Sequence, residues 1–254
     1  GIQQEYTRLQ DLSDRKQTVL STIESQGKLT DDLRRRIEDC WNSTELEDIY
    51  LPYKPRRKTR ADIAAEKGLT PLAEDLLKQL AGNPEQMAKR YINENVKDTV
   101  EALQGARDII AQRIAEDERS RNAIRREFSY TAILTTKVVK GKENEPEAQN
   151  YKDYFAVTEP LKRISSHRLL AIRRAEKEGF IRVNISPDTE KSLDKLAHLY
   201  LRASNDAAYQ VELAMEDGYK RLLKPAIETE FAAQSKEKAD TEAIRVFATN
   251  LRQL

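Results

Sequence analysis

Apolar residues recur at helical spacing over most of the chain, and alternating patterns are confined to two short runs. Ile2, Tyr6, Leu9, Leu12, Leu20 and Ile23 fall on one face of a first helix that stops at Gly27. Thr30 is a good N-cap, with Asp31 and Asp32 placed where the helix dipole favours acids, and Leu33, Ile37 and Trp41 predict a short amphipathic helix. Ser43 or Thr44 then caps a turn carrying Leu46, Ile49 and Tyr50, which Pro52 ends. Ile63 and Ala64 begin another short helix, with Gly68 as its left-handed stop. Thr70-Pro71 and Asn83-Pro84 each open a further helix, and Gly82 closes the first of them. Val100, Leu103, Ile110 and Ile114 define a long helix running toward Phe128.

The texture changes after residue 130. TAILTTKVV at 131–139 is rich in β-branched residues, and FIRVNI at 180–185 is a second strand pattern bounded by Gly179 and Pro187. These two runs are expected to pair. KGKENEPEAQN at 140–150 reads as a mobile polar loop, followed by a basic helix through SSHRLLAIRRAEKEG. Leu193, Leu196 and Leu199–Leu201 lie on one helical segment, and a longer one starts near Asp206, is interrupted near Pro225 and runs to Leu254. The expected fold class is all-α: a multi-helix array with a helix-turn-helix-like pair at about 60–81 and at most one short β-hairpin. Three regions are expected. They are an N-terminal helical part (1–130), a mixed part (131–190), and long closing helices (191–254) that lead into a downstream domain.

Composition narrows the function classes. The charged share of 34% suits helices with solvated faces, yet 44 basic residues stand against 43 acidic ones, a net charge of +1. General polycationic binding is thereby excluded, so any contact with nucleic acid must come from local clusters. The single cysteine, Cys40, excludes an internal disulfide framework and a cysteine-based zinc site, which suits the cytosol. No run is long and apolar enough to be a transmembrane helix, and GIQQEYTRLQ has no signal-peptide pattern. No membrane contact is expected. The chain starts without Met and ends on Leu251 and Leu254, as a cut through a longer protein would.

Catalytic chemistry is sparse. His167 and His198 are far apart in sequence and lack neighbouring ligands, so no metal is expected. Ser165-Ser166-His167 puts hydroxyl and imidazole on diverging faces of a helix. There is no glycine-rich phosphate loop, and the carboxylates interleave with Lys and Arg. Neither an enzyme nor a cofactor is expected.

Two basic clusters remain. Residues 1–53 carry seven basic and eleven acidic side chains, a net −4. The next seven residues then supply Lys54, Arg56, Arg57, Lys58 and Arg60. Such concentration is what phosphate contact needs. The competing reading is a solvated connector whose arginines pair with acids such as Glu45, Glu47 and Asp48. Arg173, Arg174 and Lys177 form the second cluster, at spacings of three and four, with Lys162, Arg163 and Arg168 upstream. Tyr151, Tyr154 and Phe155 precede it and read as core anchors rather than base-stacking platforms. The Ala64-x-x-x-Gly68 spacing has the shape of a DNA-binding helix pair. Its second helix, however, exposes Glu74, Asp75, Lys78 and Gln79, while Leu72, Leu76, Leu77 and Leu80 want burial. It is expected to pack rather than read bases.

The segment ELEDIYLPYKPRRKTRADIAAEKGLTPLAEDLL resembles the Tex family of bacterial transcription accessory proteins. The run YKDYF…EPLKRISSHRLLAIRRAEKEG, then YKRLLKPAIETE and AIRVFATNLRQL, agree in order across nearly the whole chain. One departure is Ala175 before Glu176, where relatives carry Gly; a helix accepts Ala more readily. The resemblance implies the helical region that precedes an RNase H-like YqgF domain in a cytoplasmic protein linked to transcription. On it, the expected function is a helical scaffold contacting RNA or DNA backbone without sequence readout. The alternative is a protein-interaction scaffold for RNA polymerase or the ribosome. Downstream domains of the same chain are expected partners under either reading.

Overall fold

The computed structural model describes residues 1–237. The AIRVFATNLRQL motif, with Leu251 and Leu254, lies outside them. The architecture is mostly helical with one small antiparallel sheet, in line with the expected class. The chain packs as two units. One comprises Gly1–Arg121 with Leu201–Gly218, and the other Asn122–Tyr200 with the chain from Tyr219 onward.

In the first unit, α1 (Ile2–Ser25), α2 (Asp31–Glu38) and α3 (Ser43–Tyr50) share a core of Leu12, Val19, Leu20, Ile23, Ile37, Leu46 and Ile49. Thr30 caps α2 as expected, its hydroxyl accepting from the Leu33 amide at 3.1 Å. The cap of α3 is one residue earlier than expected: the Asn42 side chain accepts from the Glu45 amide at 3.0 Å. Trp41 falls outside α2 and is exposed, and the Lys16 ammonium lies 3.4 Å from its ring centre. The apolar stripe of α1 is buried only from Leu12 onward, and Ile2 and Tyr6 stay exposed.

Next come α4 (Arg60–Glu66), α5 (Thr70–Leu77) and α6 (Pro84–Lys89), which surround α7 (Thr99–Glu116). Ile110 and Ile114 of the expected stripe are buried, joined by Ala102, Gly105, Ala106 and Ile109, whereas Val100 is exposed. Small residues let neighbours approach closely. A Cβ on Gly105 would meet Leu69 Cδ1 at 2.3 Å. The long helix expected to run toward Phe128 breaks at Asp117, whose extended backbone separates α7 from α8 (Glu118–Thr131).

The helix pair around Gly68 forms as expected, with Gly68 at φ 85°. Leu72, Ala73 and Leu76 are buried, while Glu74 pairs with Arg113 at 3.3 Å and Asp75 with Lys78 at 3.4 Å. Two expectations reverse at its end, where Gln79 is buried and Leu80 is exposed. Gln79 leaves the helix at φ 54°, turning its side chain inward. Its Oε1 accepts from the Arg202 amide at 2.8 Å, and its carbonyl accepts from Asn205 Nδ2 at 2.7 Å. This clasp starts the return of the chain into α11 (Asp206–Gly218), which packs on α7.

In the second unit, β1 (Ile133–Val138) pairs antiparallel with β3 (Ile181–Ser186), as the two strand patterns predict. A third strand, β2 (Thr158–Pro160), lies on the other side of β1, giving the order β2-β1-β3. The sheet is thus one short strand larger than a hairpin. The polar run at 140–150 ends in a 3₁₀ segment, Glu147–Tyr154, that buries Ala148. The basic helix is α9 (Ser166–Lys177), which packs on β3; α10 (Thr189–Tyr200) follows it. Tyr219–Leu223 forms a π turn and 224–237 is helical. The wider turn accommodates Pro225, which lacks the amide an α-helical turn would use.

Candidate nucleic-acid interface

The segment 54–60 is pinned at both ends. At its entry, Tyr53 packs partly buried against the α1–α3 core, and its carbonyl accepts from Gln26 Nε2 at 2.7 Å. At its exit, Thr59 and Asp62 form a reciprocal cap: the Thr59 hydroxyl accepts from the Asp62 amide at 3.1 Å, and the Asp62 carboxylate accepts from the Thr59 amide at 3.0 Å. This amide holds the Asp62 carboxyl below its ordinary range, and the positive charge of Arg56 adds to the effect.

The five cations divide into two groups. Arg56 lies 3.5 Å from Asp62 and 3.6 Å from Glu116, and Lys58 pairs with Glu66 at 2.7 Å, which raises the lysine pKa. These acids come from α4 and α7, not from the Glu45, Glu47 and Asp48 expected by proximity in sequence. Glu47 instead pairs with Arg15 at 2.7 Å, and Asp48 is buried against Arg121 at 2.8 Å. Lys54, Arg57 and Arg60 are exposed and make no side-chain ion pair among the described residues. An open groove of about 610 Å³ begins at Arg60. Its charged lining is balanced, with Arg60, Lys67 and Lys97 against Asp98, Glu101 and Asp108.

The α9 cluster does not stay together. Arg174 and Lys177 are exposed, whereas Arg173 is 8% exposed. Its guanidinium donates to Glu176 at 2.9 Å and to the Ser235 hydroxyl. Lys236 stands 3.8 Å from the same Glu176. Arg173 is therefore an internal tie between α9 and the helical segment 224–237, unavailable for phosphate in this conformation. The spacing from Leu169 through Ile172 and Arg173 to Glu176 is the signal for this burial. Tyr151 packs on Phe180 with ring centres 5.7 Å apart, consistent with an anchoring role, and its hydrogen bond to Glu178 pushes its phenol pKa up. Of the upstream cations, Lys162 and Arg163 are exposed, and Arg168 pairs with Glu159 at 3.2 Å. Ser165 caps α9, its hydroxyl accepting from the Arg168 amide at 3.2 Å, while His167 is exposed.

Among the described residues no group of three or more His, Cys, Asp or Glu is placed to hold a metal, and no helix is long and apolar enough to cross a membrane. Another pair of cations is invisible in the linear pattern. Lys137 and Arg182, far apart in sequence, stand directly opposite each other on β1 and β3.

Comparison with known proteins follows the same lines. The family profile described as Tex central region-like matches residues 79–247. The transcriptional accessory protein Tex of Neisseria gonorrhoeae is 40% identical over 259 residues, covering 97% of this chain and 33% of that protein. Protein YhgF of Escherichia coli is 39% identical, with 97% of this chain and 33% of the relative covered. A more distant match, the human S1 RNA-binding domain-containing protein 1, is 28% identical across 100% of this chain and 27% of that protein. The chain spans about a third of the length of the bacterial relatives it matches.

Proposed function

The chain belongs to the Tex family, and from that premise we propose that it is the helical scaffold of a transcription accessory protein, contacting RNA or DNA through backbone phosphates without reading sequence. The observation that carries this reading is the pinned loop with Lys54, Arg57 and Arg60 exposed and without an ion pair among the described residues, on a chain of net charge +1. Tethered cations of this kind position a phosphate backbone but carry no base-specific information. Arg174 and Lys177 on the second unit are secondary contacts in this reading. The name of the human relative, which includes RNA binding, supports it as an analogy. A cytoplasmic location and a non-catalytic role go with it.

The test is fluorescence anisotropy with single-stranded RNA and DNA oligonucleotides over a range of salt. Reversing Lys54, Arg57 and Arg60 to Glu is expected to lower the slope of log K against log salt by about 2, from ~0.7 per lost phosphate contact on a single strand. An unchanged affinity and slope would remove the loop from the reading.

A second reading is a protein-interaction scaffold for polymerase or ribosome, which needs an exposed apolar face. Leu72 and Leu76 of α5 are buried within their own unit, so they offer no docking face. Ile2 and Tyr6 on α1 are the exposed apolar positions that favour it. Capture of polymerase or ribosomal proteins after nuclease treatment, lost on Ile2→Ser with Tyr6→Ser, is the outcome expected of this alternative.

A further inference from the structure

The sheet of the second unit has two chemically different faces. Register places Leu134 opposite Ile185 and Thr136 opposite Val183, and Leu134, Thr136, Ile181 and Ile185 are buried. Strand alternation therefore puts Thr135, Lys137, Arg182 and Asn184 on the other face, where both cations and Asn184 are exposed. Thr158 of β2 stands opposite Thr135 on that same face. The one carboxylate within the three strands, Glu159, is opposite Leu134 on the core side and pairs with Arg168 at 3.2 Å. Ile133 and Ser186, a further pair in this register, also lie there. The outer face thus has two cations, an amide, three hydroxyls and the exposed Ile133, and no acid from the strands themselves.

Lys137 and Arg182 are direct cross-strand partners. Side chains so placed have Cβ atoms roughly 4.5–5.5 Å apart, and like charges at that spacing destabilise a sheet. Neither side chain has an ion pair or hydrogen bond among the described residues. In a chain with 43 acidic residues, a carboxylate opposite either cation would have removed the repulsion. An anion bridging the two side chains also removes it, and arginine beside lysine suits phosphate: a planar fork next to a mobile point charge.

We propose that this outer sheet face is a second phosphate-contact surface for a nucleic-acid strand. Lys137 and Arg182 neutralise its backbone, and Asn184, Thr135 and Thr158 hydrogen-bond to phosphate or sugar oxygens. The proposal rests on the nucleic-acid reading above and adds a site to it. None of the three strands carries an aromatic residue, so they lack the stacking platform by which other sheets hold bases, and the contacts are independent of base identity.

The experiment uses the 254-residue chain with Lys137→Thr and Arg182→Thr, singly and together; threonine suits an exposed strand position. Binding of a mixed-sequence single-stranded RNA and the matching DNA is read by anisotropy across about 50 to 200 mM salt, alongside thermal unfolding. Each single variant is expected to raise the unfolding midpoint while weakening binding, with the salt slope falling by about 0.7, and by about 1.4 in the double variant. A midpoint that rises with affinity and slope equal to the parent overturns the proposal. Should a variant lose both stability and affinity, the charge-conserving swap Lys137→Arg with Arg182→Lys decides: parental binding upholds the proposal, and weakened binding overturns it. Competition by a polyglutamate peptide as effective as RNA at equal charge overturns the assignment to nucleic acid. If the parent binds neither oligonucleotide, this proposal and the preceding reading both fail. If the parent binds, and only reversal of Lys54, Arg57 and Arg60 weakens it, the sheet proposal alone fails.

Discussion

Two basic segments that look alike as strings of letters are treated differently by the fold. In the 54–60 segment all five cations are exposed, and pairing is decided by which acids α4 and α7 bring near. Among the described residues Arg56 and Lys58 are paired, while Lys54, Arg57 and Arg60 are not. In α9, period decides first. Arg173 sits on the stripe of Leu169 and Ile172 and is buried with them, while Arg174, one residue on, is exposed. A cluster on a helix is therefore a mixture of core and surface, and counting its charges overstates its positive face.

The largest expected effect breaks this contrast at Arg173. Arg173→Met keeps much of the volume but leaves Glu176 and the Ser235 hydroxyl without their donor. Removing one partner of a fully buried ion pair costs about 3–5 kcal/mol; Glu176 is partly exposed and has Lys236 nearby, so about 2–3 kcal/mol is expected. Chemical denaturation checks the loss. Oligonucleotide affinity measured where the variant is folded should match the parent, whereas Arg57→Ala should leave stability within about 0.5 kcal/mol and weaken binding. Equal stability of Arg173→Met and parent would contradict the internal-tie assignment.

A smaller effect sharpens the role of the loop. Thr59→Ala removes one half of the reciprocal cap and should cost about 1 kcal/mol. No charge is lost, so the salt slope of binding should stay at the parental value while affinity falls through looser presentation of Lys54 and Arg57. A changed slope would mean that the cap alters which cations touch phosphate, and not only how firmly they are held.

Much of the helical framework was legible because it is written in local chemistry. Thr30, Gly27, Gly68 and Asn83-Pro84 act where their residue types predict, and the two β-branched runs pair. Elements set by long-range packing were not legible. Ile110 and Ile114 of α7 are buried as expected, but its small residues Ala102, Gly105 and Ala106 carry little hydrophobic contrast, and the larger Val100 proves exposed. Gln79 gives no local sign of a left-handed turn, and its acceptors matter only because residues 202 and 205 return to them. The same holds for the candidate surfaces. Clustered charges are visible in sequence, but the acids that cancel them, and the Lys137–Arg182 juxtaposition, exist only once α7 and the sheet register are in place.

The smallest effect concerns acid. The Thr59 amide, and secondarily Arg56, favour the ionised form of Asp62, so its folded pKa lies below the ordinary 3.8. A depressed carboxyl pKa contributes stability that is fully present above the unfolded value and is lost as pH falls through the folded one. The parent should therefore be more stable than Asp62→Asn above about pH 4, and the difference should shrink steadily at lower pH. The attraction between Arg56 and Asp62 is lost there as well, because protonated Asp62 carries no charge. Thermal unfolding of both chains between pH 5 and the onset of global acid unfolding reads this directly. A gap that stays constant across that window would assign Asp62 a packing role and leave the loop's charges untethered by it at any pH.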